Sequence, residues 1–134
     1  MARIIYAEDD PLVGDLVKAT LIDAGHAVGV VQTGREAVDV VRFRRPDLLI
    51  LDITMPEMSG SEALDLIRRD PGLYDLPVLM LTGRRGQTDE DIALKAGASE
   101  YLRKPFDCDR LVVLVESMLA QARRYADRSD TRSI

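Results

Sequence analysis

The chain has 134 residues, 46% of them hydrophobic, with a formal net charge of −5 and a single cysteine. That length allows one compact domain with a real core, and the acidic balance argues against nucleic acid or an anionic membrane surface as the main partner. Cys108 alone excludes an internal disulfide, the early acids Glu8-Asp9-Asp10 do not fit a signal peptide, and no apolar run approaches the roughly 18 residues of a membrane span. The expectation is a soluble, cytoplasmic domain.

Arg3 to Ala7 reads as a short apolar strand that runs into three acids. Asp10-Pro11 predicts a helix start, with Asp10 as N-cap and Pro11 in the first position. Leu12, Leu16, Val17, Thr20, Leu21 and Ala24 follow the helical period until Gly25 closes it. Ala27 to Val31 is a second strand, interrupted by Gly29, and a helix from about Gly34 to Arg45 carries Ala37, Val38 and Val41 on one face. Its basic end, Arg42-Phe43-Arg44-Arg45, is expected to be solvated, where cations also suit the helix dipole.

Pro46-Asp47 turns the chain into Leu48-Leu49-Ile50-Leu51-Asp52, an apolar run of the kind buried between helix layers in a parallel sheet. A third helix is predicted over Ser61 to Arg69, broken at Asp70-Pro71-Gly72. Val78 to Leu81 forms a fourth strand ending at Thr82. After a polar loop over Gly83 to Gln87, Thr88 or Asp89 caps a short helix closed by Gly97. Glu100 to Arg103 is the fifth strand, Lys104-Pro105 ends it, and a last helix runs from about Asp109 into the 120s. Alternation of five strands with five helices predicts an α/β domain with a parallel sheet. Residues 1–122 are read as this domain and 123–134 as a polar tail, first helical and then disordered. A stand-alone module is expected, since the chain ends where an output domain would have to begin.

Strand ends deliver Glu8-Asp9, Asp52, Thr82 and Lys104 to one rim of such a sheet, the edge where open α/β folds hold their ligands. Three carboxylates raise one another's pKa unless a cation joins them. Oxygen donors with room left for water suit Mg²⁺, and with Mg²⁺ and Lys104 the charges balance to zero. Asp10 is accounted for by capping, so Glu8-Asp9 is the expected metal pair.

Taken together, Glu8-Asp9, Asp52-Ile53-Thr54-Met55-Pro56-Glu57-Met58-Ser59-Gly60, Thr82-Gly83 and Lys104-Pro105 resemble the receiver domain of two-component response regulators, over roughly Arg3 to Ala120. The resemblance implies a flavodoxin-like, doubly wound sheet of order 2-1-3-4-5. It implies that Asp52 is a phosphoacceptor attacking a phosphohistidine. By the same resemblance, Asp9, Asp52 and the backbone carbonyl of Thr54 bind Mg²⁺ directly, and Glu8 acts through water. Lys104 pairs with the phosphoryl oxygens, Thr82 donates its hydroxyl to them, and Tyr101 swings inward behind it. Thr54 and Arg84 occupy positions that tune phosphoryl lifetime, and the Lys104-Pro105 bond is cis.

The implied partners are a sensor histidine kinase or histidine phosphotransfer protein, and a downstream protein bound through the last-but-one helix, the fifth strand and the last helix. Direct DNA binding and membrane contact are not expected. The only catalysis implied is the chain's own phosphorylation and dephosphorylation. A phosphorelay intermediate and a phosphorylation-independent binding module stay open beside the messenger role. A phosphatase of the haloacid dehalogenase type is disfavoured, because that family needs a second Asp where Thr54 stands.

Among the remaining residues, His26 is expected in a solvated turn, Cys108 to pack, and Met55 and Met58 to pack the site loop. In the last helix Leu111, Leu114, Val115 and Met118 make a core stripe. Val112, Val113 and Leu119 are apolar as well, which points to a homodimer or partner interface on that helix.

Overall fold

The computed structural model describes residues 1–53, 55–82 and 97–132, with the side chains of 82 and 127–132 outside the description. Elements follow in the order β1 (Arg3–Ala7), α1 (Pro11–Asp23), β2 (Ala27–Val31), α2 (Gly34–Phe43), β3 (Leu48–Asp52), α3 (Gly60–Arg69), β4 (Val78–Thr82), β5 (Glu100–Arg103) and α4 (Cys108–Arg132). The strands form one sheet in the order β2-β1-β3-β4-β5, and every neighbouring pair is parallel. The short helix expected before Gly97 lies outside the described residues.

All five residues of β3 are buried, as its continuous apolar run requires of a central strand covered on both sides. Side chains alternate across it: Leu49 and Leu51 join one core with α2 and α3, and Leu48 and Ile50 join a second with α1 and α4. Register does the rest. Ala7 pairs with Leu51, Asp52 with Leu81 and Thr82 with Arg103, so the strands reach the same rim within a residue or two of one another.

The start of α1 is as expected, and the caps of α2 and α3 are seen in the structure. Asp10 accepts from the Leu12 and Val13 amides at the head of α1, Thr33 caps α2, and Ser59 with Glu62 forms a reciprocal capping box at α3. Gly60 has a different task. A Cβ there would sit 2.2 Å from the Asp52 carbonyl oxygen, so its lack of a side chain lets α3 close directly onto the end of β3.

Several local expectations are corrected. Leu12 and Leu16 are 80% and 57% exposed; the buried face of α1 is Gly14, Val17 and Leu21, and at 3.6 residues per turn Leu12 and Leu16 point about 140° and about 100° away from Val17 around the helix. Gly29 does not interrupt β2, which pairs with β1 throughout. A Cβ at Gly29 would press on Ile5 at 3.2 Å. Leu119 is core rather than surface, leaving Val113 exposed and Val112 half-buried on α4. The backbone of α4 is helical to Arg132, through most of the stretch read as a polar tail.

His26 is the clearest correction. It is buried, not solvated. Its Nδ1 accepts the Ala2 amide at 3.1 Å and its Nε2 lies 2.6 Å from Glu116 Oε1, tying β1 and the β2 entry to α4. An accepting Nδ1 leaves the ring proton on Nε2, which therefore donates to Glu116. No helix among the described residues is long and apolar enough to cross a membrane.

Candidate functional site

Three strand ends meet at the rim. Glu8 follows β1, Asp52 closes β3, and Lys104 follows β5. The Lys104 ammonium lies 3.0 Å from Glu8 Oε1 and 3.0 Å from Asp52 Oδ2, bridging carboxylates that are remote in sequence. Glu8, Asp9 and Asp52 each present an oxygen within 4.8 Å of the others. Asp9 is exposed, whereas Glu8 and Asp52 are buried. Asp10 turns away to cap α1, which separates it from this cluster.

The electrostatics follow from burial opposed by Lys104. Burial raises the Asp52 carboxyl; the Lys104 ammonium pulls it down, and the nearby Glu8 charge adds to the rise, leaving it at about 6. Burial also acts to raise Glu8, but hydrogen bonds from Tyr6 and Lys104 outweigh it and hold Glu8 below the usual carboxylate range. Lys104 is lowered by burial and raised more by its contacts with Glu8 and Asp52, so it stays a cation. Of the two buried acids, Asp52 is the one whose charge is least well compensated. A cation placed among the acids would relieve it.

The donor set fits a hard divalent ion. Among the described residues it consists of the carboxylate oxygens of Glu8, Asp9 and Asp52, with Asp9 exposed to solvent. Glu8 is already committed: Oε1 takes Tyr6 and Lys104, and Oε2 takes the Asp10 amide at 3.3 Å.

Tyr6 is the member of this cluster that sequence reasoning missed. Its ring is fully buried, and its hydroxyl donates to Glu8 at 2.7 Å. Burial first, and then that bond, push its ionisation far above the ordinary range, so the hydroxyl remains a donor. The available signal was its place two residues before Glu8 on a strand, which puts both side chains on one face.

The remaining predicted residues are located as follows. The Lys104-Pro105 peptide is cis. Tyr101 is half-buried on β5 and packs against the core on the α2 and α3 side. Thr82 is the last residue of β4, opposite Arg103, and its side chain lies outside the described set. Thr54 and Arg84 lie outside it altogether. Met55 is buried in the same core as Tyr101, and Met58 packs against that core.

A sequence profile described as "Response regulator receiver domain" matches residues 4–116. The chain belongs to that family. Among curated relatives, it is 36% identical to the response regulator MprA of Mycolicibacterium vanbaalenii, over 87% of this chain and 50% of that protein. It is 37% identical to the DNA-binding dual master transcriptional regulator RpaA of Synechocystis, over 97% of this chain and 51% of that one. The chain thus spans about half the length of these relatives, and the expectation of no direct DNA contact finds no support in them.

Solved structures agree on the fold. The receiver domain of a signal transduction histidine kinase from Syntrophus aciditrophicus superposes with a TM-score of 0.87 at 32% identity, covering 92% of this chain and 94% of that one. The chemotaxis response regulator CheY4 of Vibrio cholerae gives 0.82 at 30% identity, covering 88% and 98%.

Proposed function

We propose that the chain is a phosphorylation-switched signalling module in which Asp52 is the acceptor. The observation that carries this reading is the Lys104 ammonium held 3.0 Å from Asp52 in a cluster with Glu8 and Asp9. In the proposed reaction an Asp52 oxygen attacks the phosphorus of a phosphohistidine on a kinase or phosphotransfer protein. An O–P bond forms, the P–N bond breaks, and the imidazole leaves. Mg²⁺, held by Asp9, Asp52 and the Thr54 carbonyl with Glu8 acting through water, would supply charge neutralisation at the phosphoryl oxygens. Lys104 then shifts from the two acids toward those oxygens, and Thr82 donates to them from the end of β4. Thr54 and Arg84 tune the lifetime of the phosphoryl group, and apart from this self-directed chemistry the chain is not an enzyme.

Readout is proposed to occur through a protein partner in the cytoplasm, on the face formed by β5, α4 and the segment between β4 and β5, with Tyr101 reporting the state of the site. Moving a switch from 1:99 to 99:1 needs about 5.5 kcal/mol of differential binding, which a few charge-assisted hydrogen bonds of about 1.5–3 kcal/mol each can supply. Val113, 68% exposed on α4, favours an apolar contact there, either with a second copy or with the downstream protein.

Intact mass after incubation with Mg²⁺ and a small acyl-phosphate donor tests the proposal. The wild type gains one phosphoryl group and Asp52→Asn gains none. A wild type that stays unmodified, or a variant that is still modified, refutes it.

A further inference from the structure

Tyr6 and Glu8 leave β1 on the same face, and the tyrosine ring is locked in the core between the sheet and helices α1 and α4. The Tyr6 hydroxyl and the Lys104 ammonium both donate to one oxygen, Glu8 Oε1, at 2.7 and 3.0 Å. The other oxygen has the Asp10 amide at 3.3 Å. The Glu8 side chain is 1% exposed, so bulk water does not reach it to replace a donor that leaves. A buried carboxylate stripped of its cation is costly unless other donors remain.

Lys104 is the donor that the proposed reaction draws away. Once a phosphoryl group sits on Asp52, its oxygens compete with Glu8 for the ammonium. Of the two donors on Oε1, the hydroxyl is the one fixed by its surroundings, since Tyr6 is fully buried, while Lys104 is a flexible chain and partly exposed.

We propose that Tyr6 is a positioning residue of the site: its hydroxyl keeps the Glu8 carboxylate satisfied and in place while Lys104 leaves it for a phosphoryl group on Asp52. This inference rests on Asp52 being the acceptor. It assigns a function to a residue that would otherwise count only as core. Without the hydroxyl, Lys104 becomes the main donor to Glu8 Oε1, and the ammonium is held back from the phosphoryl oxygens.

The test uses Tyr6→Phe, which keeps the ring and removes only the hydroxyl. Dissociation constants are measured for Mg²⁺ alone and for beryllofluoride, a mimic of the aspartyl phosphate, in the presence of Mg²⁺. Tyr6→Phe is expected to weaken beryllofluoride binding about tenfold, the lower end of what one charge-assisted hydrogen bond is worth, and to leave Mg²⁺ binding within about twofold. In a Glu8→Gln background, where no buried anion needs the donor, the same substitution is expected to change neither. Unchanged beryllofluoride binding in Tyr6→Phe, with a wild type that binds it, overturns the inference and leaves Asp52 as acceptor. Equal weakening of both ligands, persisting in the Glu8→Gln background, also overturns it, because that is the signature of a packing defect. A wild type that binds neither ligand overturns the reading of the site itself.

Discussion

Lys104 Nζ lies 3.0 Å from Asp52 Oδ2, joining the ends of two strands that are not neighbours in the sheet, since β4 separates β3 from β5. The ammonium also contacts Glu8 beyond β1, so a single side chain spans the rim from one strand end to another. It is one-quarter exposed, close enough to solvent to be displaced and buried enough for its charge to count.

Removing that charge has a defined cost. In Lys104→Met two buried carboxylates face each other without a cation, and the metal-free protein is expected to lose about 2–3 kcal/mol of stability near neutral pH, somewhat below the range for breaking a fully buried pair. Urea denaturation measures this loss. Addition of Mg²⁺ is expected to recover part of it by restoring positive charge among the acids. A variant as stable as the wild type without Mg²⁺ contradicts the electrostatic account.

Asp52 gives a prediction in pH. Its carboxyl is raised from 3.8 to about 6 in the folded chain, so between those values the native state binds a proton that the unfolded state has released. Its contribution to stability is fully present below about 4 and is lost as pH rises through about 6. In metal-free buffer Asp52→Asn is therefore expected to flatten this fall and to be the more stable protein above about pH 7, by about 3 kcal/mol. Chemical denaturation at a series of pH values checks it. A wild-type to variant difference that does not change with pH removes the basis for the raised pKa.

Gly60 tests the junction of α3 with the acceptor strand. A methyl group there would approach the Asp52 carbonyl oxygen to 2.2 Å, a distance that backbone on both sides must shift to relieve. Gly60→Ala is expected to cost about 2–3 kcal/mol by overpacking, read from the denaturation midpoint, and to slow phosphorylation by moving Asp52. Unchanged stability and phosphorylation contradict the contact.

His26 tests a feature away from the rim. His26→Leu leaves the Ala2 amide and the Glu116 carboxylate without their partner and is expected to lower stability by about 1–2 kcal/mol. Phosphorylation by a small donor is expected to keep its wild-type rate, because the contact is at the opposite end of β1 from the acids. A stability within experimental error of the wild type would show that the two hydrogen bonds contribute nothing net.

Most of the fold was legible because its signals are local. Leu48 to Leu51 is apolar without interruption, as a doubly covered strand is, and Asp10-Pro11 marks the start of α1 by its own chemistry. The acids and Lys104 could be assembled because parallel strands bring their ends to one rim whatever their separation in sequence. Burial was harder to read. Leu12 and Leu16 look like core by hydrophobicity, and only the rotation of α1 against the sheet turns them outward. Tyr6 and His26 each looked ordinary for the opposite reason: what defines them is a polar partner brought close by folding, Glu8 through the pleat and Glu116 from the far end of the chain.

The most direct measurement of the central claim locates the phosphoryl group. After incubation with Mg²⁺ and an acyl-phosphate donor, borohydride reduction converts an aspartyl phosphate to homoserine, and peptide mass spectrometry finds the converted residue. Conversion at Asp52, and at no other acid, is predicted. Conversion at Asp9 or elsewhere, or none in a protein shown to bind Mg²⁺, would contradict it.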